Sequence, residues 1–287
     1  MTSPNLVIAR AGENSHHKTW GSSPKWDLLI SYYGTDPDKY KGDGFERVDG
    51  PGGKFGDLFN LWHNRPDLFK DRKYVWSVDD DIEITPDNVD KLFAVMEEYK
   101  LHLAQPALIL DGYINHRITA VHEGFKLRYT TMVETMLPCW SVELLGKVMP
   151  LLEGLRYGWG LDHAWHQGAG PKGTAILDCV PSKHCRAQGT GELYVHDLDP
   201  LVEMRKNLAK LGLTQVPTPV NTGGILLNGA YIEGPNLDRA LEAPQAKVLD
   251  FMVQTVKRNP NHTRVLDRHL SDGMRSSLRR GSQPKVT

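Results

Sequence analysis

Cysteine is scarce in this chain, and the three that occur, Cys139, Cys179 and Cys185, have no paired spacing. An odd number of unpaired cysteines argues against a disulfide framework and favours a reducing compartment, so we predict a cytoplasmic protein. The chain also lacks a run of about eighteen apolar residues, which a membrane-spanning helix requires. The N-terminal residues show neither the basic region nor the long apolar region of a signal peptide. We therefore expect no transmembrane segment and no signal peptide.

An excess of charge of one sign is absent as well, because 34 lysine and arginine residues balance 35 acidic residues. The composition as a whole gives no indication of nucleic-acid or membrane binding. Residues 257–287 differ, since they carry eight basic and two acidic residues. We expect 271–287 to be a mobile basic tail. Peripheral contact with a membrane or with another polyanion through this region is the alternative.

Several catalytic motifs are missing. Neither a GxSxG nucleophile elbow nor an HExxH zinc motif occurs in the chain. The glycine-rich stretch GPGGKFG at 50–56 lacks the Gly-Lys-Ser/Thr ending and does not directly follow an obvious strand, so it is not interpreted as a phosphate-binding P-loop.

What is present is an alternation of short apolar runs and helical patterns over 287 residues, enough for one large α/β domain or two small ones. The predicted strands are 5–11, 26–34, 74–78, 103–110, 116–121, 126–134 and 174–180. Helices are predicted over 54–64, from Thr85 and Pro86 to about 100, from Ser141, over 200–213 and near 243–257. The sequence therefore indicates an α/β fold.

Three consecutive aspartates, Asp79, Asp80 and Asp81, end the apolar strand YVWSV just before a helix. The carboxyl ends of strands are where an α/β sheet presents ligand-binding side chains. Three adjacent carboxylates repel one another, so two explanations are open. The triplet is either a solvated acidic turn near a helix N-terminus or the site of a hard cation such as Mg²⁺ or Mn²⁺, which would screen the repulsion.

A second candidate lies in YGWGLDHAWHQG, residues 157–168, where Gly158 and Gly160 flank Trp159 and Asp162 follows. Glycine lets a backbone approach a ligand closely, an indole offers its face to a sugar ring, and a carboxylate serves as a general base. The alternative is a turn around a buried tryptophan.

Histidines provide the third candidate. His184 follows the predicted strand 174–180 and is either structural or, with the acidic turn as its partner, a metal ligand that favours Mn²⁺ over Mg²⁺. Asp162, His163 and His166 also have a spacing compatible with metal binding, although such residues are more often ordinary polar groups.

The acidic triplet, the GWG-x-D turn and the late histidine occur in an order that resembles the motif order of metal-dependent GT-A glycosyltransferases. Four blocks resemble, more narrowly, a plant and bacterial family known as domain of unknown function 707: AQPALILDGYINHRIT at 104–119, MVETMLPCWS at 132–141, YGWGLDHAW and VPSKHCR. The resemblance covers roughly residues 5–190 and leaves the last hundred residues without a counterpart.

The resemblance implies an αβα sandwich around a mixed, mostly parallel sheet. It places Asp79 near the ribose of the donor nucleotide, and Asp81, with Asp79 and His184, at a Mn²⁺ or Mg²⁺ ion. It also assigns Asp80, Trp159 and Gly160 to the donor site and Asp162 to the acceptor side, where it would deprotonate the acceptor hydroxyl if the anomeric centre is inverted.

The implied function is transfer of a sugar from a UDP- or GDP-linked donor to a glycan or another hydroxyl acceptor. Two alternatives are a metal-dependent hydrolase of nucleotide or phosphate esters and a non-catalytic nucleotide- or glycan-binding module. We expect a catalytic domain over 1–200, a helical C-terminal extension packed on it over 201–270, and the tail.

Overall fold

The computed structural model describes residues 3–187 and 199–258, in which strands and helices alternate along the chain. The strands are β1 (Asn5–Ala11), β2 (Trp26–Tyr32), β3 (Glu46–Asp49), β4 (Tyr74–Asp79), β5 (Ile82–Glu83), β6 (Leu103–Leu108), β7 (Phe125–Thr130), β8 (Cys139–Ser141), β9 (Thr174–His184), β10 (Asn221–Leu226) and β11 (Tyr231–Ile232). The helices are α1 (Lys54–Asn64), α2 (Pro86–Glu98), α3 (Val142–Leu152), α4 (Pro200–Lys210) and α5 (Gly234–Arg258).

Ten of the described strands form one sheet in the order β11-β10-β7-β9-β6-β8-β4-β1-β2-β3, and β5 pairs with β9 beside it. The strands β3, β2, β1 and β4 run parallel, as do β6 and β9, whereas β8, β7 and β10 pair antiparallel with their neighbours. The prediction of a mixed, mostly parallel sheet is confirmed.

Both faces of the sheet are covered because strand residues point alternately to either side. In β1, Val7 and Ala9 belong to one apolar core, and Leu6 and Ile8 to another. Helices α2 and α5 contribute to the first core, and α1 and α3 contribute to the second. The resulting αβα layering explains why β1 is apolar at nearly every position.

Capping side chains define the starts of α2 and α3. The Thr85 side chain accepts a hydrogen bond from the Asn88 backbone N–H, and Pro86 takes the first position of α2. Ser141 accepts the Leu144 N–H at 3.1 Å at the start of α3. Such a cap stabilises a helix by about 1 kcal/mol. Both predicted boundaries are confirmed.

The predicted strand at 116–121 is wrong, since the chain there makes a short 3₁₀ turn, Arg117–Thr119. The Arg128 guanidinium binds the carbonyl oxygens of Ile118 and Ala120 at 2.8 and 2.7 Å. Because these carbonyl oxygens accept hydrogen bonds from an arginine side chain, they do not pair with a neighbouring strand. The short strands β3, β5 and β8 are not among the predicted strands, and α5 starts at Gly234, well before 243.

The segment after residue 200 supplies the expected helices α4 and α5 and, in addition, the strands β10 and β11. Strand β10 pairs antiparallel with β7, so this segment extends the central sheet. Residues 259–287, which include the predicted basic tail, lie outside the described residues. Within the described ranges, no helix has both the length and the apolar character needed to cross a membrane. The three cysteines are unpaired, as predicted.

Candidate functional site

One cleft at the carboxyl ends of β1, β4 and β9 gathers the predicted site residues. Its lining includes Asp79, Asp80, Asp81, Trp159, Gly160, Asp162 and His184. Strand register produces part of this arrangement, since Arg10 lies opposite Asp79 in the β1–β4 pair and Ile82 opposite His184 in the β5–β9 pair. The structure thus brings together all seven residues from three separate stretches of sequence. His163 also lines the cleft, whereas His166 is not among its lining residues.

Asp81 and His184 form a close pair in the cleft, with Asp81 Oδ2 3.3 Å from His184 Nε2. His184 Nδ1 lies 3.1 Å from the carbonyl oxygen of Tyr113, so Nδ1 carries a proton and Nε2 is the nitrogen that faces Asp81. Burial acts to raise the pKa of Asp81, but the hydrogen bond and charge of His184 outweigh it and leave the pKa lowered. Burial acts to lower the pKa of His184, and Asp81 reverses that effect.

The donor atoms of this pair fit a divalent cation. Asp81 Oδ1 is buried and has no hydrogen-bond partner among the residues that the structure describes. Such an orphaned carboxylate oxygen is costly unless something binds it. One carboxylate and one imidazole oriented by a backbone carbonyl are ligands that suit Mn²⁺, with water or phosphate oxygens completing the coordination.

Asp79 has a different environment, because its Oδ1 lies 2.7 Å from Lys54 Nζ. Lys54 opens α1 and also donates to the carbonyl oxygen of Met136 at 2.9 Å. Burial lowers the pKa of the Lys54 ammonium, and the charge of Asp79 opposes that change. The Asp79 side chain is 40% exposed and therefore accessible from the cleft.

Asp80 is the most buried of the three aspartates, and both of its oxygens are engaged. Oδ2 accepts the Gly12 backbone N–H at 2.6 Å and the Tyr33 hydroxyl at 3.3 Å, while Oδ1 lies 2.9 Å from Arg186 Nη2. Burial raises the pKa of Asp80 to about 6, and Arg186 and Gly12 limit that rise. Asp80 lines the cleft, but its contacts tie the acidic turn to β1 and to the end of β9.

Asp162 lies in the turn between α3 and β9, where it is 7% exposed. Its Oδ1 accepts the Gly160 backbone N–H at 3.2 Å and lies 3.9 Å from His163 Nε2. The glycines in this turn serve the chain's own packing. Gly158 has a φ of +72°, and a Cβ there would lie 2.3 Å from the Phe55 ring, so only glycine fits.

This turn is held from outside by α4. The buried Glu203 carboxylate accepts the backbone N–H groups of Arg156, Tyr157 and Gly158 at 2.8, 2.9 and 2.5 Å. Asn207 Nδ2 donates to the carbonyl oxygen of Trp159 at 2.9 Å. The segment after residue 199 therefore fixes the backbone that presents Trp159 and leads to Asp162.

Basic side chains that the sequence analysis missed also line the cleft: Arg10, Lys54, Arg156 and Arg186. Signals for three of them were present in the sequence. Arg10 is a charge in an otherwise apolar strand, Lys54 follows the glycine-rich stretch at the start of a helix, and Arg186 follows His184 by two residues. The acidic triplet is recognisable in the sequence. That these basic side chains surround it is visible only in the folded structure.

Glu134 is a buried carboxyl group in the cleft that the sequence analysis also missed. Its Oε1 accepts the Thr119 hydroxyl at 2.5 Å, and its backbone N–H donates to Gln105 Oε1 at 2.6 Å. Burial raises the pKa of Glu134 to about 7. The cleft therefore holds a carboxyl group that changes its protonation state near neutral pH.

Comparisons with known proteins give similarity at the level of fold. No protein-family model and no curated protein sequence matches the chain, so membership of the domain of unknown function 707 family stays a prediction. Among solved structures, the chain is similar to GalNAc-T7 with UDP, GalNAc and Mn²⁺, at a TM-score of 0.50 and 13% identity, over 72% of this chain and 48% of that one. It also matches S. aureus TarS in complex with UDP-GlcNAc, at 0.48 and 11%, over 74% and 65%.

The chain spans about half the length of the GalNAc-T7 chain that it matches. At this identity the likeness establishes a GT-A-like fold, and a fold hosts more than one chemistry. The reaction has to be argued from the cleft.

Proposed function

We propose that this chain transfers a sugar from a nucleotide-diphosphate donor to a hydroxyl acceptor, with Mn²⁺ or Mg²⁺ in the cleft. The observation that carries the proposal is the meeting of Asp81 and His184 with Asp162 in one cleft of a GT-A-like fold. GalNAc-T7 was crystallised with UDP and Mn²⁺, which is consistent with such a donor and cation.

The cation would be held by Asp81 Oδ1 and His184 Nε2, with Asp79 nearby. A divalent cation there supplies charge stabilisation for the diphosphate that leaves the sugar. Arg10, Lys54, Arg156 and Arg186 surround the same space, and guanidinium and ammonium groups bind phosphate oxygens. The cleft therefore combines an acidic cation site with positive charges for the remaining phosphate oxygens.

The sugar and its acceptor would lie towards the turn between α3 and β9. Trp159 lines that side of the cleft, where its ring offers an apolar face to a sugar. Asp162, on the same turn, is the group we assign to accept the proton of the acceptor hydroxyl. Asp80 and Gly160 contribute the shape of the donor site, because both line the cleft while their own polar contacts stay within the protein.

The most direct test is a thermal-shift screen of common UDP- and GDP-sugars with and without Mn²⁺. We expect stabilisation that needs both the nucleotide and the cation, because the carboxylates of Asp79 and Asp81 would repel a diphosphate unless a cation lies between them. No stabilisation by any donor, with or without Mn²⁺, would contradict the proposal.

The donor that stabilises the protein is then incubated with and without a mixture of hydroxyl acceptors. Acceptor-dependent release of the nucleotide supports transfer. Release at full rate without an acceptor would instead indicate a hydrolase, and binding without any product would indicate a non-catalytic module. Both of these outcomes overturn the transferase assignment.

A further inference from the structure

A second group of metal-ligating side chains lies beside the acidic turn and outside the cleft lining. A ring nitrogen of His16, a carboxylate oxygen of Glu83 and the sulfur of Cys185 all lie within 4.8 Å of one another. His16 Nδ1 is 3.5 Å from Glu83 Oε1. None of the three side chains lines the cleft that holds Asp81 and His184.

The backbone already holds these residues in place. The His16 N–H donates to the carbonyl oxygen of Asp80 at 2.7 Å, and the Cys185 N–H donates to that of Asp81 at 2.9 Å. Glu83 lies in β5, which pairs with the end of β9. The three side chains therefore converge because their main chains are all hydrogen-bonded around the acidic turn, and little rearrangement is needed to close them on an ion.

The donor set selects the kind of ion. One sulfur, one imidazole nitrogen and one carboxylate oxygen suit Zn²⁺, whereas Mg²⁺, Ca²⁺ and Mn²⁺ do not favour a thiolate ligand. A Cys185 thiolate and the Glu83 carboxylate together carry two negative charges, which balance those of Zn²⁺. The side chains of His16 and Glu83 are 30% and 46% exposed, so an ion can enter and water can occupy a fourth position.

The geometry points to a Zn²⁺ site at the His16–Glu83–Cys185 trio. Binding displaces the proton of the Cys185 thiol to solvent and forms bonds to Sγ, a His16 ring nitrogen and a Glu83 oxygen. The ion joins the loop after β1, strand β5 and the end of β9, the three segments that surround Asp80 and Asp81. It thereby fastens the acidic turn from outside the cleft and takes no part in the proposed transfer.

Titration with Co²⁺, a spectroscopic substitute for Zn²⁺, tests this site directly. A cobalt–thiolate bond gives a near-ultraviolet charge-transfer absorption that oxygen and nitrogen ligands do not give. We expect the wild-type protein to show this absorption at one equivalent of Co²⁺ and to lose it when Zn²⁺ is added. Its absence in the wild type, or its persistence after Zn²⁺ is added, would overturn the proposal.

Two cysteine variants identify the sulfur. Cys185→Ser should lose the absorption, and Cys179→Ser, which changes another half-buried cysteine, should keep it. His16→Ala should weaken Co²⁺ binding at least tenfold. Asp81→Asn should leave the absorption intact, because Asp81 belongs to the cleft. An absorption that survives in Cys185→Ser contradicts the assignment, whether or not the protein transfers sugars.

Discussion

Asp81 Oδ2 lies 3.3 Å from His184 Nε2, although the two residues come from opposite halves of the described N-terminal segment. The short β5–β9 pair produces this contact, because it places Ile82 opposite His184. The proposed cation site therefore forms only in the folded protein. Replacement of one of its ligands should weaken metal-dependent binding more than it destabilises the fold.

Asp81→Asn should abolish metal-dependent nucleotide binding. Mutation of a residue that hydrogen-bonds to a metal ligand typically weakens metal binding by about 10- to 100-fold. The loss of a ligand itself should weaken it at least as much. Calorimetry with a nucleoside diphosphate, with and without Mn²⁺, measures the effect. Asp111→Asn is the matched control, since Asp111 is an exposed carboxylate paired with Lys183 beside His184. Equal Mn²⁺-dependent affinity in Asp81→Asn and wild type would remove Asp81 from the cation site.

Asp162→Asn should lower kcat by about 10²- to 10⁴-fold, which is the usual contribution of a general base. Donor binding should change little, because the asparagine oxygen can still accept the Gly160 N–H that Asp162 Oδ1 accepts at 3.2 Å. Single-turnover assays and donor titrations separate the two effects. Near-normal turnover in this variant would eliminate Asp162 as the base.

Glu203→Gln should destabilise the turn that carries Trp159. The carboxylate accepts three backbone N–H groups, and glutamine has one acceptor oxygen and a donor NH₂ in its place. An unsatisfied buried donor costs about 1–3 kcal/mol, so the free energy of unfolding should fall by that order. Donor affinity should fall with it, because Trp159 lines the cleft in which we propose that the donor binds.

The control for this variant is Glu153→Gln, which changes an exposed glutamate just after α3. Denaturant unfolding and donor titration are measured for both proteins. If Glu203→Gln behaves like Glu153→Gln in both measurements, α4 does not position the turn.

Glu134 should make the protein less stable as the pH rises towards neutrality. Its pKa is raised by burial from 4.5 to about 7, so the folded state binds a proton that the unfolded state has released between these values. Stability falls with pH wherever the folded state binds more protons. The stabilisation is complete below pH 4.5 and is lost as the pH passes through about 7; the loss is on the order of 3 kcal/mol.

Glu134→Gln removes this titration while it keeps an oxygen for the Thr119 hydroxyl. Urea unfolding at pH 5 and pH 8 should show that the variant gains stability relative to wild type at the higher pH. A difference between the two proteins that is the same at both pH values would show that Glu134 does not titrate in this range.

Much of the site could be predicted from the sequence because its parts are local. A strand that ends in Asp79–Asp81, a capped helix at Thr85 and a turn with two glycines before Asp162 are each recognisable within about a dozen residues. The α/β class follows from similarly local patterns, since apolar runs typical of buried strands alternate with amphipathic helices.

The sequence by itself thus singled out the Asp79–Asp81 triplet, Asp162 and His184 as candidate site residues, and it missed the cleft carboxyl group of Glu134. Only the tertiary structure decided which partners each aspartate of the triplet has. Asp80 is tied to Gly12 and Arg186, Asp79 to Lys54, and Asp81 keeps one oxygen without a partner among the described residues. These differences arise from parallel and antiparallel register between distant strands, which places basic groups beside Asp79 and Asp80 and leaves the buried Asp81 Oδ1 without a described partner. Local sequence patterns do not encode that register.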